Sequence, residues 1–84
     1  MKAALDKIGE LYKTIQILRA PDGCPWDSKQ TSKSLIPFLL EEVHEVIEAI
    51  ENENSTEIKE ELGDLLLHLI FQTQIYEEKK DFTF

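Results

Sequence analysis

The sequence predicts an all-α fold, an antiparallel helical bundle completed by oligomerisation. Three segments carry apolar residues at three- and four-residue steps, the spacing of one face of a helix. Only three Gly and three Pro occur, and the alternation typical of strands is scarce. A chain of 84 residues forms one domain, residues 1–84. Because so short a chain buries only about 60% of its unfolded surface, we expect a partner subunit to enlarge the core.

The first helix is predicted over residues 3–19. Its apolar face consists of Leu5, Ile8, Leu11, Tyr12, Ile15 and Leu18. Pro21-Asp22-Gly23 is a strong break signal and ends the helix. A loop is expected to continue from there through Cys24-Pro25-Trp26-Asp27.

The second helix is predicted to follow a cap at Ser32 or Ser34 and to end near Glu51. Pro37 is tolerated in its first turn. Its apolar stripe is Leu35, Leu39, Val43, Val46, Ile47 and Ile50.

The third helix is predicted to begin at a cap on Asn54 or Ser55 and to end near Lys79. The turn before it is short, so the second and third helices should lie antiparallel. This helix is apolar nearly all round, which is typical of a helix buried on several sides. A single small chain can hardly surround it, and this again predicts self-association.

Composition excludes several classes of partner. The net charge is −8, and Lys59 is the single base among the acids that crowd residues 41–64. Binding to nucleic acid needs a basic face, so none is expected. A membrane span is not predicted, because the sequence has no run of about 18 apolar residues. A signal peptide is not predicted either, because no apolar segment follows the N-terminus. The lone Cys24 fits a reducing cytoplasm, which is the expected location.

Acidic residues at helical spacing indicate a cation site. Glu42 and Glu45 are three apart on the second helix, and Glu61 and Asp64 are three apart on the third. Glu42 is placed about 90° from the centre of its helix's apolar stripe, at the edge. Four carboxylates brought together repel one another unless cations neutralise them, and oxygen ligands suit Mg²⁺, Mn²⁺ or Ca²⁺. Mg²⁺ shares its ligands readily with phosphates, which favours phosphate chemistry.

Other interpretations of these residues stay open. Five acids are best explained as a solvated helix face: Glu41, Glu48, Glu51, Glu53 and Glu57. For Glu42, Glu45 and Glu61, spacing alone does not decide between a solvated face and binding to a metal ion. His68 shares a strip with Glu61 and Asp64. It is expected to be a hydrogen-bonded histidine, behind the ligands or in the core, in preference to a direct metal ligand. A di-iron site is disfavoured because it needs Glu-x-x-His pairs on two helices.

Two motifs resemble a known family. The string Leu18–Thr31, LRAPDGCPWDSKQT, resembles the opening segment of the MazG-type nucleoside triphosphate pyrophosphohydrolases. Leu40–Glu45, LEEVHE, followed by Glu60–Asp64, EELGD, resembles the family signature Glu-Glu-x-x-Glu … Glu-x-x-Asp. The resemblance covers about residues 8–84.

The resemblance implies an all-α homodimer or homotetramer that hydrolyses nucleoside triphosphates to monophosphate and pyrophosphate with Mg²⁺, or with Mn²⁺. By position it implies that Glu42, Glu45, Glu61 and Asp64 are the metal ligands. It also implies catalytic roles for Glu41 and Glu42, with Glu41 positioning or deprotonating the water.

The resemblance leaves the substrate contacts less defined. Trp26 could stack on the base or pin its loop onto the bundle, and Lys29 and Lys59 could contact phosphate or simply be solvated. The family continues past a Phe-x-Phe segment, here residues 82–84, into a helix with basic residues, so this sequence is expected to lack that helix. The alternative function is therefore a non-catalytic helical oligomerisation or regulatory module that retains the metal site.

Overall fold

The computed structural model describes residues 1–84 and contains four helices and no strand. They are α1 (Lys2–Arg19), α2 (Pro25–Lys29), α3 (Ile36–Glu51) and α4 (Ser55–Glu78). Helix α4 packs against α3 and α1, and α2 contacts α1. The all-α prediction is confirmed, and the three predicted helices correspond to α1, α3 and α4.

Helix α2 lies where only a loop was predicted. Cys24 precedes it in an extended conformation and Pro25 occupies its start, where the missing N–H of proline costs nothing. The N–H of Ser28 donates to the carbonyl of Cys24 at 2.9 Å. Five residues are too few to show helical periodicity in a sequence, so this turn of helix escaped prediction.

The predicted caps are right for one helix and wrong for another. Asn54 caps α4, since its Oδ1 accepts the N–H of Glu57 at 3.1 Å. Leu35 precedes α3 without any side-chain cap. Ser34 instead exchanges hydrogen bonds with Thr31, and the Ser32 hydroxyl donates to Gln72 Oε1 on α4 at 2.6 Å. These serines fasten the segment before α3 to its surroundings, a role that a local capping pattern does not reveal.

The buried core is small and lies between α1, the start of α3 and the second half of α4. Its members are Ile15, Leu35, Ile70, Phe71 and Ile75, with Ile8, Leu11 and Tyr12 packed against them. The tail is also anchored, because Phe82 stacks on Tyr76 with ring centroids 5.2 Å apart. Phe84 packs on Tyr12, whose hydroxyl donates to the Glu77 carboxylate.

Two apolar faces remain exposed in the single chain. The α3 face consists of Ile36, Leu40, Val43, Ile47 and Ile50, and the α4 face consists of Leu62, Leu66 and Leu69. At about 100° per residue each set falls on one side of its helix. The apolar character predicted for both helices is therefore only partly used within the chain. No helix is both long and apolar enough to cross a membrane.

Arg19 holds the segment between α1 and α3 in place. Its Nη1 donates to the carbonyl oxygens of Asp27 at 2.8 Å and Gln30 at 2.9 Å. Its Nε and Nη2 donate to the two carboxylate oxygens of Glu78 at 2.8 and 2.9 Å. The guanidinium also lies 5.4 Å from the centre of the Phe71 ring. One side chain thus ties α2 to both α1 and α4.

Candidate metal centre

Three carboxylates from two helices meet at one point. Glu42 and Glu45 extend from α3 and Glu61 from α4, and one oxygen of each lies within 4.8 Å of the others. Glu42 shares the buried face of α3 with Val46 and Ala49 and is 7% exposed. The prediction that Glu42 sits at the edge of the apolar stripe is therefore wrong. The predicted apolar stripe combined residues of the buried face of α3 with residues of its exposed apolar face. The centre of the stripe was therefore placed too far from Glu42.

Two oxygens of this cluster have no partner in the protein. Oε2 of Glu42 and Oε2 of Glu61 are buried and accept no hydrogen bond. The only ion pairs of the chain, Lys7–Glu10 and Arg19–Glu78, lie elsewhere. A buried polar atom left unpaired costs about 1–3 kcal/mol. A hard divalent cation would supply the missing positive charge and accept these oxygens as ligands, so the residues fit such an ion.

The crowding of like charges changes the titration of the cluster. The pKa of Glu45 is raised first by the close approach of the Glu61 carboxylate, which favours a proton shared between the two groups, then by burial and by the charges of Glu61, Glu41 and Asp64. The pKa of Glu61 is raised chiefly by the close approach of the Glu42 carboxylate. A proton on the neighbouring Glu45 lowers it, while burial and the charges of Glu42 and Asp64 raise it further. Without a metal ion, Glu45 and Glu61 therefore hold their protons to a higher pH than ordinary carboxyl groups, and a bound metal ion would neutralise them instead.

The other two predicted acids lie beside the cluster and not within it. Asp64, on α4, and Glu41, on α3, are both exposed. Their charges reach the cluster, because Asp64 raises the pKa of both Glu45 and Glu61, and Glu41 raises that of Glu45. The structure brings three of the four expected ligands together and leaves the fourth close by.

A mainly apolar cavity of about 230 Å³ lies between α2, α3 and α4. Two of its lining residues are one helical turn from the acids, since Phe38 precedes Glu42 by four positions and Leu67 follows Asp64 by three. It is lined by Trp26, Asp27, Leu35, Phe38, Leu67, His68 and Phe71. The Trp26 ring meets the Phe38 ring edge to face, with centroids 5.9 Å apart. His68 lines this cavity and makes no hydrogen bond within the protein, so the hydrogen bond expected for this histidine is absent.

Several residues of this region were not singled out from the sequence. Phe38 lies four positions before Glu42, and that spacing could have placed it on the same side of α3. No helical spacing relates Asp27 or Arg19 to the carboxylate cluster, because their positions depend on how α2 packs against α1. Lys29, at the end of α2, and Lys59, near the start of α4, are exposed and pair with no acid.

Comparison with known proteins agrees with this arrangement. A family model described as the MazG nucleotide pyrophosphohydrolase domain matches residues 30–84, which include the whole carboxylate cluster. The chain belongs to the MazG family. The resemblance seen in the sequence motifs is thereby confirmed.

Individual MazG relatives match nearly the whole chain. It is 49% identical over 83 residues, 99% of its length, to the nucleoside triphosphate pyrophosphohydrolase/pyrophosphatase MazG of Thermotoga maritima, of which it covers 32%. It is 41% identical over 81 residues, 95% of its length, to the nucleoside triphosphate pyrophosphohydrolase of Escherichia coli K12, of which it covers 31%. The chain thus spans about a third of the length of these two relatives.

Proposed function

We propose that the chain is a Mg²⁺-dependent nucleoside triphosphate pyrophosphohydrolase, serving to clear nucleotides from the pool. The observation that carries the proposal is the pair of buried, unpartnered oxygens on Glu42 and Glu61 in a cluster without a protein cation. Membership of the MazG family supports it, as do relatives named as nucleoside triphosphate pyrophosphohydrolases.

In this proposal the acids have distinct roles. Glu42, Glu45 and Glu61 hold the cation, and Asp64 completes the ligand set from the next turn of α4. When bound, Mg²⁺ or Mn²⁺ supplies neutralisation of phosphate oxygens and acidification of water. Glu41 orients the attacking water and accepts its proton. The water oxygen bonds to the α-phosphorus, the bond from that phosphorus to the bridging oxygen breaks, and pyrophosphate leaves.

The substrate contacts follow from the surroundings of the cluster. Trp26 is 52% exposed at the mouth of the apolar cavity and would contact the base. Lys29 and Lys59 have free ammonium groups on the surface, which suits contact with the triphosphate. Since this chain is a third of its relatives' length, other phosphate contacts can lie outside it.

The exposed apolar faces of α3 and α4 support assembly into a homodimer or homotetramer. They contain large side chains such as Ile47, 46% exposed, and Leu69, 52% exposed. Contiguous apolar surface of this kind marks a protein–protein contact. A second copy of the chain would cover these faces and complete an antiparallel bundle.

The test is to identify the products formed from a panel of nucleoside triphosphates with Mg²⁺. Nucleoside monophosphate and pyrophosphate in equal amounts are expected, with loss of both in the Asp64→Ala variant. Diphosphate with inorganic phosphate would contradict the proposed reaction, as would no pyrophosphate from any common or modified nucleotide.

The exposed apolar faces also favour a second candidate, a non-catalytic oligomerisation or regulatory module that retains the metal site. It predicts self-association and Mg²⁺ binding with no pyrophosphate release. A chain that stays monomeric at micromolar concentration in sedimentation would argue strongly against this candidate.

A further inference from the structure

We propose that a second cation site lies between α1 and α4, formed by Gln74 and Glu77 with the hydroxyl oxygen of Tyr12, and that it binds a monovalent ion such as Na⁺ or K⁺. This inference does not rest on the proposed function. Glu77 follows Glu61 by sixteen residues on α4, about 24 Å at 1.5 Å of rise per residue. The site is therefore separate from the carboxylate cluster and can be tested by itself.

Two buried oxygens mark the site. Oε2 of Glu77 and Oε1 of Gln74 are both buried and make no hydrogen bond. Gln74 is only 7% exposed, so solvent does not reach its amide. The two residues are three apart on α4 and therefore lie on the same side of the helix. Two unpaired acceptors on one side of a helix point to one shared partner.

The neighbouring contacts hold both groups in place. Nε2 of Gln74 donates to Oε2 of Glu78 at 3.4 Å, which places the amide against the turn of α4 that contains Glu77. Oε1 of Glu77 accepts the Tyr12 hydroxyl. The pKa of Tyr12 is raised, first by this hydrogen bond and then by burial and the charge of Glu77, so the hydroxyl stays a donor. The amide and the carboxylate thus each have one atom engaged and one oxygen left over.

No side chain supplies the missing positive charge. Glu77 takes part in neither of the two ion pairs of the chain. Arg19 directs Nε and Nη2 at Glu78 and Nη1 at two backbone carbonyls. A buried carboxylate oxygen without a donor or a cation costs free energy. A bound cation would remove that cost.

The ligands define the kind of ion. Carboxylate, amide and hydroxyl oxygens are hard ligands, which suit alkali and alkaline-earth ions. Together they carry one negative charge, which one monovalent ion balances. Mg²⁺ demands octahedral geometry and keeps several waters, and Ca²⁺ takes about 6–8 oxygen ligands, more than these buried groups offer. Na⁺ or K⁺ therefore fits better than a divalent ion.

A cation at this point would join three parts of the chain. Tyr12 belongs to α1 and packs against the buried core. Its ring also carries the ring of Phe84 in the tail, with centroids 5.4 Å apart. Because the oxygens meet only in the folded chain, an ion that binds them stabilises the folded state.

The test compares melting temperatures in NaCl, KCl and N-methylglucamine chloride, with a chelator present to remove divalent ions. The organic cation is too large to reach a buried oxygen, and equal ionic strength keeps the screening of surface charges the same. We expect the melting temperature of the wild type to rise saturably, by about 4–8 °C, as NaCl or KCl replaces the organic salt. Equal melting temperatures in all three salts would mean that these oxygens bind water only, and would overturn the inference.

Three variants locate the ion. Glu77→Gln removes the charge and adds an amide donor for the Gln74 oxygen, so it should lose the response and melt no lower than the wild type in the organic salt. Gln74→Leu removes a ligand at similar size and should also lose the response. Glu61→Gln, in the carboxylate cluster, should keep it. A response that Glu77→Gln retains would place the ion elsewhere and overturn the inference.

Sodium NMR provides a readout that does not depend on the stability of the variants. The wild type should broaden the sodium signal, added K⁺ should reverse the broadening, and Glu77→Gln should broaden it several-fold less. Circular dichroism checks that each variant is folded. Equal broadening by the wild type and Glu77→Gln would contradict the site.

Discussion

Arg19 and Glu78 form a bidentate ion pair that joins the end of α1 to the end of α4. Both oxygens of Glu78 accept hydrogen bonds from the guanidinium. The Arg19 side chain is 7% exposed and that of Glu78 is 37% exposed. Hydrogen bonding and charge from Arg19, with a smaller contribution from Gln74, lower the pKa of Glu78 against the opposing effect of burial. The same guanidinium also holds the backbone carbonyl of Asp27, so this pair links the packing of α1 and α4 to the position of α2.

Replacing Arg19 with Ala should lower the free energy of unfolding by about 2–4 kcal/mol. The change leaves two backbone carbonyls and the Glu78 carboxylate without their donor. Urea denaturation measures the effect, and Arg19→Lys should recover only part of it because an ammonium cannot reproduce the planar fork. Lys7→Ala, which breaks an exposed pair with Glu10, should change stability by less than about 0.5 kcal/mol. Equal effects at Arg19 and Lys7 would contradict the anchoring role.

The carboxylate cluster should make the metal-free protein lose stability as the pH rises. The pKa of Glu61 is raised above its ordinary value of 4.5. A raised carboxyl pKa contributes stability that is present below the unfolded pKa and is lost as the pH rises through the folded pKa. Without metal at pH 7, Glu61→Gln should therefore melt at a higher temperature than the wild type, and the difference should shrink toward pH 4.

Added Mg²⁺ or Mn²⁺ should reverse that order at pH 7, because an ion that binds only the folded state stabilises it by RT ln(1 + [ion]/Kd). The melting temperature of the wild type should rise with metal concentration and that of Glu61→Gln should change little. If the melting temperatures of the wild type and Glu61→Gln changed in the same way with pH and with metal concentration, the proposed repulsion within the carboxylate cluster would be contradicted.

Gly23 should not tolerate a side chain. A Cβ at this position would lie 2.2 Å from the Ile17 carbonyl oxygen and 2.6 Å from that of Leu18, both backbone atoms. We expect Gly23→Ala to cost about 1–3 kcal/mol in unfolding free energy, as overpacking does elsewhere. Gly9→Ala is the matched control, since nothing lies within 4 Å of its Cβ and α1 should gain about 0.5–1 kcal/mol from it. Loss of stability at Gly9 and none at Gly23 would refute the packing described for this turn.

A charge on the exposed face of α3 should break self-association without unfolding the chain. Ile47 is 46% exposed on that face, whereas Ile17, 67% exposed, lies on α1. Sedimentation velocity should show an oligomer for the wild type and Ile17→Glu, and a helical monomer for Ile47→Glu. An oligomer that survives Ile47→Glu would mean that the contact lies on another face.

The sequence was sufficient for the parts of the fold that local patterns determine. Helical spacing predicted α1, α3 and α4, and Asn54 was one of two predicted caps for α4. Tertiary contacts determine the rest. Ser32 and Ser34 bond to neighbours instead of capping α3, and Pro25 starts a helix too short to show a period.

The candidate site was likewise predictable from the sequence only in its local features. Three-residue spacing made Glu42, Glu45 and Glu61 candidates, the family resemblance implied that they are ligands, and the structure brings them together. The burial of Glu42 was missed because α3 has adjoining apolar faces, one inside the chain and one exposed. The cavity could not be foreseen, since three separate helices line it and the position of α2 depends on tertiary contacts such as the bond from Arg19 to the Asp27 carbonyl.

The most direct test of the central claim is a titration of Mn²⁺ binding by electron paramagnetic resonance, with Glu61→Gln and Glu60→Gln compared with the wild type. Glu60 is the exposed neighbour of Glu61 and lies outside the three-carboxylate cluster. The account predicts saturable Mn²⁺ binding that Glu60→Gln retains and that Glu61→Gln weakens by about tenfold or more, since even changes behind the ligands cost about 10–100-fold in metal affinity. Equal Mn²⁺ affinity in all three proteins would contradict it.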